Sequence, residues 1–89
     1  MINSLKKIKL ISGDFIKFDN DLFHIKSRGV EKRIDDLKEV SSININLDYI
    51  TIDYSNKESP TKIHLEDYNE MNIRKEIKQN FEKLKTRIT

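Results

Sequence analysis

A change of period constrains this chain more than any other feature. From Lys7 to Leu65, apolar and polar residues alternate in short runs separated by turn-forming residues; beyond Asp67, apolar residues recur three and four apart. One-residue alternation belongs to strands with a single buried face, and three-to-four spacing belongs to an amphipathic helix.

The runs follow one another closely. Ile8 and Leu10 alternate with lysines before the turn residues Ser12-Gly13-Asp14, and Ile16 and Phe18 flank Lys17 before Asp19-Asn20-Asp21. Phe23 and Ile25 alternate with His24 and Lys26, and Arg28-Gly29 supplies a hairpin turn in which glycine takes the positive φ. Val30 to Ile34 makes a fourth strand. Ile34, Leu37 and Val40 then fall three apart, the spacing of one helical or 3₁₀ turn. Alternation resumes over Ile43, Ile45 and Leu47, over Ile50, Ile52 and Tyr54, and over Ile63 and Leu65 after the polar loop ending at Pro60.

The helical segment is expected over about 68–86. Asp67 and Glu70 stand at capping-box spacing, and Ile73, Ile77, Phe81, Leu84 and Ile88 fall within an arc of about 80° at 100° per residue. Such a stripe cannot bury itself and needs an apolar partner. Seven short strands and one helix predict a mainly β, α+β fold in a single domain over 1–89, a barrel or sandwich with a helical cap.

Composition bounds the function. With 89 residues and no cysteine, the chain has neither disulfide staples nor thiolate ligands, and its core is thin. No apolar run is long enough for a membrane span or a signal peptide, so the expectation is a soluble cytoplasmic protein without a transmembrane segment. Net charge is only +2, yet both ends are basic: Lys6, Lys7, Lys9 and Lys17 stand against Asp14, and Arg74, Lys75, Lys78, Lys83, Lys85 and Arg87 against two glutamates. Basic ends around an acidic middle suggest that the termini meet or that one surface is basic.

The order of elements resembles the pleckstrin-homology superfold in its bacterial PH-like form. The resemblance is carried by the stretch Lys32-Arg33-Ile34-Asp35-Asp36-Leu37-Lys38-Glu39-Val40-Ser41-Ser42-Ile43 and by the Ile63-His64-Leu65 strand leading into a helix. It spans roughly Lys7 to Leu84 as a pattern of elements and rests on no signature motif. The resemblance implies seven antiparallel strands in two near-orthogonal sheets, a partly open barrel capped by the C-terminal helix. Lipid-binding members carry a basic cluster in the first hairpin loop. Here that loop is Ser12-Gly13-Asp14, so phosphoinositide binding is not implied.

No catalytic, metal-ligating or cofactor-binding set emerges. His24 and His64 lie opposite the apolar faces of their strands and read as surface residues, and Asp35-Asp36 reads as turn capping. Two basic clusters stand out: Arg74, Lys78 and Lys85 on a helix arc beside the apolar stripe, and Lys26, Arg28, Lys32 and Arg33 about a hairpin tip, with no aromatic interleaved. Tyr49 and Tyr54 flank one strand as interface aromatics.

These features predict a non-catalytic interaction module, first for a protein partner or a second copy of itself, through a strand edge or the helix flank. Nucleic-acid or anionic-surface binding through the basic helix flank is the alternative. A small phage or mobile-element protein inhibiting a host protein is a further one, and an enzyme is not expected.

Overall fold

A computed structural model describes residues 6–10, 12–19 and 22–88. The chain forms two compact units, one ending at Leu37 and the other beginning at Lys38. The expected Asn20-Asp21 turn lies outside the described residues.

The first unit is a four-stranded antiparallel sheet in the order β1 (Lys6–Lys9), β2 (Phe15–Asp19), β3 (Leu22–Ser27), β4 (Val30–Ile34). Alternation puts Ile8, Ile16, Phe18, Phe23, Ile25 and Ile34 on its buried face. β3 and β4 are joined through Arg28 and Gly29, at φ +50° and +84°. That pair of positive φ values gives the two-residue turn whose twist suits a hairpin. Asp14 braces it from the preceding loop, its carboxylate accepting the N–H of Arg28 at 2.8 Å and of Gly29 at 3.4 Å.

The second unit is a three-stranded antiparallel sheet, β5 (Val40–Ile45), β6 (Tyr49–Tyr54) and β7 (Thr61–His64), followed by α1 (Met71–Lys85). Ile43, Ile50, Ile52 and Ile63 are completely or almost completely buried, and α1 packs against β5. Ile77, Phe81 and Leu84 of the helix stripe are buried, whereas Ile73 and Ile88 at its ends are partly exposed. Burying side chains of this size contributes roughly 1.5–3 kcal/mol each. The expected turn after Ile34 is a 3₁₀ turn over Leu37–Glu39.

Three expectations are corrected. The seven antiparallel strands, their division into two sheets and the C-terminal helix are as expected, but the strands are not closed into a barrel. β4 pairs with β3, β5 pairs with β6, and the chain between them turns through Asp35-Asp36 into the 3₁₀ turn. Leu47, expected to face inward on a strand, is 80% exposed at the β5–β6 turn. The capping box does not form. Asp67 closes a 3₁₀ turn over Leu65–Asp67, and Glu70 is the N-cap residue without a side-chain capping bond. Burial of Tyr68 accounts for the delay: its extended backbone seats the ring in the core, and the helix starts three residues later.

Candidate anion-binding face

The exposed face of the β1–β4 sheet follows from register. Lys7 is opposite Lys17, Lys17 is opposite His24, and His24 is opposite Arg33, so one row crosses all four strands with a basic residue on each. The adjacent row runs Lys9, Phe15, Lys26 and Glu31. Rows like these hold directly opposed side chains about 5 Å apart, and like charges so placed destabilise a sheet.

The face is only partly neutralised. Arg33 Nε donates to Asp35 Oδ1 at 2.9 Å, and His24 Nε2 is bonded to the Glu31 carboxylate. Glu31 stands opposite Lys26 in register but spends its carboxylate on His24. Among the described residues, Lys9, Lys17 and Lys26 have no carboxylate partner. Lys7 lies with its ammonium 5.2 Å from the centre of the Phe15 ring. That ring meets His24 edge to face, with centroids 4.9 Å apart. Phe15 is therefore a partly exposed aromatic set among cations, an arrangement that attracts positive charge to the ring face.

Beside the basic row lies an open groove of about 110 Å³ lined by Lys17, His24 and Arg33 together with Asp19, Leu22 and Asp35. Three basic side chains converge on it from three strands. Chemically, the face offers point charges and a guanidinium fork for an anion, and a ring for stacking.

The structure separates the basic residues singled out in the sequence. Lys26 and Arg33 belong to this face, Arg28 sits in the turn beyond it, and Lys32 lies on the opposite face, partly buried across from Ile25. Alternation within β4 makes that split. On α1, Arg74 Nε donates to the Tyr68 carbonyl and Nη1 lies 3.8 Å from Met71 Sδ, so Arg74 holds the helix entry. Lys78 is half-buried and Lys85 exposed along the same helix.

The two tyrosines part company. Tyr54 is not an interface aromatic: it is 5% exposed, its hydroxyl bonded to Thr61 Oγ1 in the core. Tyr49 is partly exposed, with Lys62 Nζ 4.3 Å from its ring centre. They stand five residues apart on one strand, and an odd separation puts them on opposite faces. His64 ends β7 partly exposed.

Sequence reasoning missed Lys7, Lys9, Lys17 and Phe15 as members of one surface, and read the hairpin cluster as lacking an aromatic. Phe15 is in fact directly opposite Lys26. Lys7 and Lys9, two apart in the N-terminal run, were the only local signal, and they do not point to Lys17 or Phe15. Among the described residues, no cluster of histidine and carboxylates could hold a metal ion, and no helix is long and apolar enough to cross a membrane. In comparisons with known proteins, no family model, no curated protein and no solved structure matches the chain.

Proposed function

We propose that the chain is a non-catalytic interaction module that binds a polyanionic partner on the exposed face of its four-stranded sheet. The observation that carries this reading is the row Lys7, Lys17, His24 and Arg33, one basic residue on every strand. A sheet gains nothing in stability from opposed like charges, so an anionic partner gives the row a use. The non-catalytic part is supported by five hydroxyls that are engaged within the fold. Ser42 donates to Asp53, Tyr54 and Thr61 bond each other, and Ser55 and Thr86 donate to the carbonyls of Lys38 and Lys83. All of these are structural bonds.

The four-strand and three-strand division followed by a C-terminal helix supports the resemblance to bacterial PH-like domains. The lack of cysteine supports a reducing cytoplasm as its compartment. The helix flank is the weaker candidate surface, because Arg74 is engaged at the helix entry.

Calorimetric titration with inorganic polyphosphate at two salt concentrations tests the reading. Binding should weaken steeply with salt. Lys7→Glu with Lys17→Glu should abolish it, while Lys78→Glu with Lys85→Glu should leave it nearly unchanged. Loss of binding in the helix pair alone would move the site to α1 and overturn the assignment.

A further inference from the structure

Resting on the anion-binding reading, we infer that the partner is single-stranded nucleic acid, with a base stacked on Phe15 and its backbone laid along the lysine row. A polyanion of any kind would satisfy the lysines. Phe15 is what narrows the class. It lies on the same face, partly exposed, between Lys9 and Lys26 in its own row, with Lys7 over its ring and the His24 ring perpendicular to it. The lysines alone would serve an acidic peptide, whereas every nucleobase brings a π-face that uses the ring as well.

The spacing suits the same ligand. Phe15 and Lys17 are two residues apart on β2, and so project from the same face about 7 Å apart along the strand, while neighbouring strands are about 5 Å apart. A phosphate over Lys17, clear of the Asp19 and Asp35 carboxylates that also line the groove, leaves the attached base near Phe15, two residues along the same strand. The face is a sheet surface open to solvent, which a flexible single strand can follow with its bases turned down. A duplex keeps its bases stacked inside and would present only phosphates to Phe15.

The test compares three probes of equal length by fluorescence anisotropy: a labelled oligothymidylate of about eight nucleotides, an abasic strand with the same phosphates, and a duplex. The intact protein should bind the oligothymidylate at least about fivefold tighter than the abasic strand, the smallest gain expected of one stacked base. Its logarithmic salt slope should approach about −3 for four neutralised phosphates. Phe15→Leu keeps an apolar residue at that position and should erase the preference for bases while leaving abasic binding in place. The comparison of probes on the unaltered protein decides the point even where that variant folds poorly.

Equal affinity for the oligothymidylate and the abasic strand, both lost in Lys7→Glu with Lys17→Glu, would overturn the nucleic-acid inference and leave the anion-binding reading standing. Tighter binding of the duplex would overturn it in the same way. Binding of none of the probes, together with no binding of polyphosphate, would overturn both.

Discussion

The two sheets of this chain solve the same surface problem in opposite ways. On the exposed side of β5–β7 the polar residues complete one another: Ser42 Oγ and Asn44 Nδ2 both donate to Asp53 Oδ2, at 2.8 and 3.2 Å, and Lys62 covers Tyr49. On the exposed side of β1–β4, Lys7 faces Lys17, and Lys17 faces His24. The first pattern is what stability alone would favour. The second costs stability where Lys7 opposes Lys17, a cost that the proposed anionic partner would offset.

That contrast can be broken in three places. The largest effect belongs to the core under the self-satisfied sheet. Phe81 is fully buried, so Phe81→Asp leaves a cavity and an unpaired charge and should cost more than about 4 kcal/mol. Thermal unfolding followed by circular dichroism should show the β5–β7 unit melted at room temperature. A variant that stays folded would mean that the α1 stripe is an interface to another chain and not core.

A smaller loss is expected at the surface of the same sheet. Asp53→Ala removes the acceptor of two hydrogen bonds and should destabilise the unit by about 1 kcal/mol in urea unfolding. No change would show that this surface is no better matched than the other.

The smallest effect has the opposite sign. Lys17→Thr removes the cation opposed to Lys7 and puts in its place a residue suited to strands, and should raise stability by about 0.2–1 kcal/mol while weakening polyphosphate binding. A destabilised Lys17→Thr would mean that the lysine stem is packing against the sheet, and the argument from opposed charge would fail.

Much of this was legible along the chain because it depends on neighbours in sequence. Alternation told which side of each strand is buried, and the run Ile77, Phe81 and Leu84 told which side of the helix is. The parity of Tyr49 and Tyr54 also lay in plain view: an odd spacing on one strand cannot put both at a surface. The capping-box spacing of Asp67 and Glu70 misled, because a local hydrogen-bonding preference of about 1 kcal/mol yields to burial of the Tyr68 ring.

The basic face was not legible. Lys7, Lys17, His24 and Arg33 lie ten, seven and nine residues apart, and no period joins those intervals. The turns do. The loop held by Leu10, Gly13 and Asp14 and the positive-φ pair Arg28-Gly29 set which residues stand opposite which, and a slip of one residue would turn each side chain to the other face. The same holds for Phe15, which joins the hairpin cluster only across the β2–β3 ladder.

By itself, then, the sequence determined seven strands, one helix, their order and the buried side of most of them, since these follow from periodicities of two and 3.6 within short windows. Only the tertiary structure decided that the strands divide four and three without closing into a barrel, that the helix begins after Tyr68, and that lysines from separate strands share one row. Those outcomes depend on pairing between distant segments, where register and burial act together and no local pattern records the result.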